Sequence, residues 1–448
     1  MPPGFYLLIA AQFASALADN ALLIVTIGWL QATGLPGWWA PLLKFGFTLS
    51  YVLLAPFVGP LADAFPKARL MAWMNGVKVL GLLALLMGVH PFIAFALIGL
   101  GAAAYAPAKY GLITELVGPQ RLVLANGWVE VSVVGAALLG TVLGGLLVSP
   151  WVLESEMFAA TGVWVGAWAQ GGALSLAMLS LLAVYVLAGV LNVGVPGSGV
   201  RYAASRLHPV ALTREFWRAN LLLWRDREGG TSLAVTTLFW GVGATLQFAL
   251  LRWAADVLQL PLNHAAYLPA AVAVGVVAGA AAAARWITLH HARRMLFCGV
   301  LLGLLIAAVA GSTDLRLALP LLVLIGATGG LLVVPLNALL QHRGFTLLSA
   351  GRSIAVQGFN ENASVLGMLA IYALLLALEV PIHRVMWGFG LCIAALMGLL
   401  MWRDGYSVRG RRNSASSNNN SSNNNFNHTV QPLRGNAVQI EPVRPELG

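Results

Sequence analysis

Twelve long apolar runs, each almost without charge, leave this chain few ways to fold. They lie at about residues 4–30, 39–63, 69–89, 92–114, 121–148, 160–190, 231–256, 264–289, 295–311, 317–340, 352–378 and 385–402. A helix needs roughly 20 apolar residues to cross the hydrocarbon of a bilayer. Inside it every backbone N–H and C=O must be satisfied within the spanning element, which leaves helices and closed barrels. Barrel strands read as alternating segments of about ten residues, whereas these runs are continuous, so an all-α integral membrane protein is expected. Composition agrees: 59% of the 448 residues are hydrophobic and 9% are charged, against about 25% charged in a soluble domain. That excludes a soluble enzyme, a nucleic-acid binder with a solvated basic face and a disordered scaffold. Cys298 and Cys392 both fall inside apolar runs, so no disulfide framework or zinc spacing exists, and no metal or cofactor is expected.

The polar remainder orients the chain. Ala16-Leu17-Ala18 before Asp19 resembles a signal-peptidase site, but residues 1–18 hold no Lys or Arg and the run continues through Leu30, so a retained first span is expected. Lys67, Arg69, Arg121, Arg201, Arg206, Arg293, Arg294 and Arg343 all fall in loops that follow even-numbered runs, while the other loops hold only Arg316 and Arg384 beside acids such as Glu154, Glu156, Asp256, Asp314 and Glu379. The net charge of +10 is therefore read as orientation, with both termini cytoplasmic. The expected organisation is a six-helix half over 1–190, a basic linker over 191–230, a second six-helix half over 231–402 and a disordered Asn/Ser-rich tail over 403–448. Within the linker, Thr213 to Trp224 fits either a solvated segment or an amphipathic helix on an anionic membrane face.

The halves echo each other. Ala68-Arg69-Leu70-Met71 matches Ala292-Arg293-Arg294-Met295, Pro107 matches Pro335, and Gly127-Trp128-Val129-Glu130 matches Gly358-Phe359-Asn360-Glu361, in order and at slowly growing offsets. Two parallel six-helix repeats around a basic loop resemble the major facilitator fold, whose substrates bind between the halves near the midplane. Gly59, Asp63, Lys67 and Arg69 resemble the loop motif of that superfamily. Their physical reading is a charge latch, in which Asp63 caps or neutralises helix ends and the two cations hold it there.

Ionisable groups inside spans are costly and are functional candidates by default. Asp19, beside Asn20, and Lys78 lie near the middle of their runs; Lys109, Glu130 and Glu361 lie in inner halves, the last two at pseudo-symmetric positions. Lys44 and Arg252 lie four or five residues from outer ends and can snorkel. Glu115 and Arg285 sit at inner ends, where an interfacial place is expected. Asn337, Gln357, Asn360 and Asn362 suit interhelical hydrogen bonds, and Gly140, Gly144 and Gly145 suit close helix approach. Both signs of charge in one centre suit a zwitterionic ligand carrying phosphate and amine. They equally suit structural pairing, for example of Lys109 with Glu130.

At Gln12-Phe13 through Asp19-Asn20-Ala21-Leu22-Leu23, Ala55-Pro56-Phe57-Val58-Gly59, Asn75-Gly76-Val77-Lys78, Pro107-Ala108-Lys109-Tyr110-Gly111, Val334-Pro335-Leu336-Asn337 and Ala355-Val356-Gln357 with Glu361-Asn362, the chain resembles the bacterial lysophospholipid transporters. The resemblance implies movement of lysophosphatidylethanolamine-type lipids from the outer to the inner leaflet of the bacterial inner membrane. There an acyltransferase–acyl-carrier-protein synthetase would re-acylate them. It also implies site roles for Asp19, Asn20, Lys78, Lys109, Glu130 and Glu361, and the expected substrate-binding set adds Arg252 and Asn360 to these. Arg252 enters because Gln247 stands where the family carries Arg, with Arg252 more than a turn away. The alternative is a proton-coupled exporter of drugs or small metabolites. A membrane acyltransferase is disfavoured, because none of the eight His residues has an Asp five positions on.

Overall fold

A computed structural model describes residues 1–32, 39–155, 174–200, 208–260 and 267–425, with backbone alone for 31–32, 39–42, 150 and 404–425. The start of the sixth run, Glu156, Arg201, Arg206 and everything past 425 lie outside the described residues. The first half supplies α1 (Pro3–Ala32), α2 (Trp39–Ala64), α3 (Lys67–Leu86), α4 (Pro91–Leu116), α5 (Leu122–Leu147) and α6 (Leu174–Val193). The linker supplies α7 (Pro209–Arg225). The second half supplies α8 (Arg227–Asp256), α9 (Tyr267–Trp286), α10 (Leu296–Ala310), α11 (Leu315–Leu347), α12 (Ala350–Ala377) and α13 (Ile382–Asn425). Apart from α7, these give 12 helices long and apolar enough to cross a membrane, matching the count of apolar runs. Where composition predicts a disordered tail, the backbone of α13 continues as helix to Asn425.

Local chemistry sets the helix ends. Asp226 caps α8 by accepting from the Gly229 amide at 2.7 Å, Asp314 caps α11 by accepting from Arg316 N at 2.9 Å, and Pro91 opens α4. Each supplies what a helix N-terminus lacks, an acceptor or a residue with no N–H to lose. α11 outruns its predicted apolar run by a turn and more, because Arg343 on the extension is held to Asp226 at 2.6 Å.

Packing repeats between the halves: α1 with α5, α2 with α4 and α3 with α4 correspond to α8 with α12, α9 with α11 and α10 with α11. Small residues allow the closest of these contacts. A Cβ on Gly140 or Gly144 would come within 2.6 or 2.7 Å of the Leu17 or Ala21 carbonyl of α1, so α5 and α1 touch backbone to backbone. Gly145 faces open space and takes no part. Between halves, α12 packs on α2 and α4, and α5 packs on α9 and α11. The end of the bundle that carries Lys67, Arg121, Arg225, Arg293 and Arg343 is called the basic end below.

Candidate functional site

The first cluster lies wholly within the first half. Lys78 is 2% exposed, a position where a lone ammonium would be prohibitively costly. The fold answers it three times: its Nζ donates to Ser15 Oγ at 2.9 Å and to both carboxylate oxygens of Asp19, at 2.9 and 2.7 Å. Tyr185 donates to Asp19 Oδ1 at 2.8 Å, and the rings of Tyr105 and Tyr185 each lie 5.6 Å from the ammonium, within cation–π range. Ser15 Oγ in turn donates a hydrogen bond to Asn75 Oδ1 at 2.8 Å. Gln12, Ser15 and Asp19 share one face of α1 because they are spaced by three and four residues.

The second cluster faces the other half. Lys109, also buried, has Gln12 Oε1 at 3.4 Å and the Tyr110 ring at 4.1 Å; Gln12 in turn donates to Ser132 at 2.8 Å. Lys109 lies within electrostatic reach of Glu130, Lys78 and Asp19, yet no salt bridge joins it to a carboxylate among the described residues. The pairing of Lys109 with Glu130 is therefore looser than a direct bridge. Glu361 lies within electrostatic reach of Glu130 and accepts from Gln357 Nε2 at 2.8 Å. From there a chain of amides crosses between the halves. Gln357 Nε2 donates to Asn337 Oδ1 at 2.6 Å, Asn337 Nδ2 donates to Asn126 Oδ1 at 3.0 Å, and Asn126 and Gln341 exchange bonds at 2.9 Å each way.

At the basic end, Asp63 joins the two halves. Asp63 accepts from the hydroxyl of Ser349, the N-cap of α12, and from the Gly351 amide at 2.9 Å. A carboxylate there meets the positive end of the helix. Gly59 lets the two backbones close: a Cβ there would lie 2.9 Å from Arg352 Cα. Lys67 bridges Asp63 at 3.7 Å and Glu115 at 2.7 Å. Glu115 is thus part of the latch, with its side chain 1% exposed, rather than interfacial as expected. Arg69 points outward and is no part of it. Beyond the latch α12 opens: residues 350–357 are almost all buried, whereas from 358 to 377 only Tyr372 is.

Three predicted site residues go elsewhere. Arg252 is 59% exposed and pairs with Asp256 one turn on at 2.7 Å, so it does not stand in for an arginine at Gln247, which is itself exposed. Asn360 donates to Asn220 at 2.8 Å and accepts from Trp224 Nε1 at 3.1 Å, both on α7; it lies one residue before Glu361, which turns it about 100° around the helix. Asn20 donates to its own helix, at the Ala16 carbonyl. In their place the fold recruits Gln12, Ser15, Asn75, Tyr105, Asn126 and Tyr185. For half of these a signal existed: Ser15, Asn75 and Asn126 sit three or four residues before Asp19, Lys78 and Glu130. The tyrosines had none.

The family model described as Major Facilitator Superfamily matches residues 8–355. Among curated proteins, the lysophospholipid transporter LplT of Yersinia enterocolitica is 42% identical over 380 residues, covering 85% of this chain and 89% of its own length. The protein of that name from Escherichia coli is 40% identical over 402 residues, covering 89% and 96%. Among solved structures, a bacterial homologue of the iron transporter ferroportin in its outward-facing state superposes with a TM-score of 0.68 at 16% identity, covering 90% of this chain and 100% of its own. The E. coli fucose:proton symporter FucP gives 0.68 at 16% identity, covering 89% and 98%. At such identity these two establish the shared fold alone.

Proposed function

This chain belongs to the bacterial lysophospholipid transporter family of the Major Facilitator Superfamily, and we propose that it carries lysophosphatidylethanolamine-type lipids from the outer to the inner leaflet of the bacterial inner membrane. The basic end then faces the cytoplasm, as the loop charges require. One observation carries the residue assignment: Lys78 is committed to Asp19, whereas Lys109 is buried beside Gln12 with no carboxylate in bridging contact among the described residues. Lys109 with Gln12 is the place for the lipid phosphate. The amine goes to Glu130 or Glu361, which lie on opposite halves within electrostatic reach of one another. A headgroup held on both sides couples its own passage to movement of the halves. The acyl chain, worth about 0.8 kcal/mol per methylene when kept from water, stays against apolar faces and the lipid enters and leaves sideways. Alternating access then opens the basic end by breaking the Asp63 latch and the amide chain. Re-acylation of the product by an acyltransferase–acyl-carrier-protein synthetase draws the flux inward; this chain itself does no covalent chemistry.

The test uses the purified protein in liposomes with labelled lysophosphatidylethanolamine in one leaflet. Expected is protein-dependent movement to the other leaflet, reduced by Lys109→Gln without loss of folded protein. No movement of lysolipid, or movement untouched by Lys109→Gln and Glu361→Gln, overturns the assignment. Transport of another solute that collapses with the proton gradient supports the exporter instead.

A further inference from the structure

The linker helix α7 has two apolar stripes, one buried by the fold and the other left largely exposed. Leu212, Phe216, Ala219 and Leu223, spaced by four, three and four residues, are buried. The last three of them pack with Ala55, Leu233, Leu340 and Val356 of α2, α8, α11 and α12. These four partners lie six to nine residues from the basic ends of their helices, about 9–13 Å along the axis at the helical rise. So α7 lies against the flank of the bundle at the depth where hydrocarbon gives way to headgroups, and does not hang in water beneath it.

A second stripe carries Val210, Trp217, Leu221 and Trp224, again at helical spacing, with the Trp217 ring edge-on to Phe359 of α12 at 5.4 Å. All four are exposed, Trp217 at 51% and Leu221 at 49%. Beside this stripe, 40–80° further round the helix, stand Arg214, Arg218 and Arg225, also exposed. Tryptophan with its apolar body and polar N–H belongs at a membrane interface, and arginines at its edge meet anionic headgroups. Polar bonds to α12 fix the helix: Asn220 and, from the edge of the exposed stripe, Trp224 Nε1 bond Asn360, and Glu215 bonds Arg352 at 3.1 Å. Arg352 and Asn360 belong to α12, whose N-terminus Asp63 holds.

We propose that the outer face of α7 is a binding surface for anionic phospholipid headgroups, with Trp217 and Leu221 seated among the upper acyl chains and Arg214, Arg218 and Arg225 on the phosphates. The occupant is the bilayer surface, argued from the depth of the helix and the match of its charge. The surface is separate from the central clusters and does not depend on which solute is carried. Lipid held here anchors α12 at the end where the halves are latched.

The test places one environment-sensitive fluorophore at Trp217→Cys in a Cys298→Ser/Cys392→Ser background, in nanodiscs of phosphatidylcholine with or without phosphatidylglycerol. Expected is shielding from aqueous iodide, and stronger quenching by brominated phosphatidylglycerol than by brominated phosphatidylcholine. Replacing Arg214, Arg218 and Arg225 by Gln removes that preference, by on the order of fivefold per arginine at most. Raised salt weakens it in the unsubstituted helix, a reading that needs no charge mutation. A fluorophore open to iodide in both nanodiscs overturns the proposal, as does equal quenching by the two lipids. Shielding that appears only when soluble cell protein is added assigns the face to a protein partner and overturns it equally.

Discussion

Charge is buried differently inside one half and across the two. Within the first half, Lys78 and Asp19 form an ion pair with Ser15 and Tyr185 around it, on α1, α3 and α6. Across the halves run neutral amides, Asn126 with Gln341 and Asn337, and then Gln357 to Glu361. A buried ion pair is strongly destabilised when one partner goes, whereas a neutral hydrogen bond contributes about 1 kcal/mol net. An ion pair thus holds a half rigid, while hydrogen bonds join the halves, neutral in the amide chain and from an N-cap to a carboxylate at Asp63. The alternating access proposed above would use that division.

Breaking the strong side has the largest expected effect. Lys78→Ala leaves the Asp19 carboxylate unanswered and is expected to destabilise the protein by about 3–5 kcal/mol, read as a large drop in the midpoint of thermal unfolding of the purified protein. Asp19→Ala/Lys78→Ala recovers part of the loss, because no lone charge remains; a double variant as damaged as the sum of the singles would show that the two do not act as a pair.

Next, Lys109→Gln removes a cation that no carboxylate bridges. Its effect falls on transport, with at least about a tenfold loss from the forfeited charged hydrogen bond and little change in unfolding midpoint. If stability falls as far as in Lys78→Ala, Lys109 is a structural ion and the contrast fails. Smaller still, Asn126→Ala cuts the amide chain and leaves Gln341 and Asn337 short of partners, at about 1–3 kcal/mol. The expected readout is faster labelling of a cysteine placed at Ala355, beside the latch, by an impermeant thiol reagent from the basic end. Unchanged labelling means the chain does not help close that end.

The smallest effect concerns Asp226, at the joint of α7 and α8. Partial burial pushes its carboxyl up, but hydrogen bonds from Arg343 and the Gly229 amide outweigh that and hold it below the usual carboxylate range. A carboxyl lowered on folding stabilises above its ordinary range and loses that contribution as pH falls through its folded value. Asp226→Asn is therefore expected to unfold at a slightly lower temperature than the parent near neutral pH, by about 1 kcal/mol or less. The gap closes in acid; a gap that persists there removes Asp226 from the ionic joint.

The residues themselves announced the twelve spans, because the thickness of hydrocarbon fixes how long an apolar run must be. They announced the repeat, the buried charges and the nearness of Asp63 to Lys67 in one short loop, but not the Ser349 and Gly351 partners of Asp63 in the other half. Partner choice was another matter. That Lys78 takes Asp19 while Lys109 bridges no carboxylate among the described residues, that Asn360 turns to α7 and that Arg252 turns outward depend on how helices distant in sequence are rotated against one another. One residue along a helix changes direction by about 100°, and an apolar helix whose every side is covered by lipid or protein carries little amphipathic signal of its facing. Depth could be read along the chain; azimuth was decided only when the helices packed.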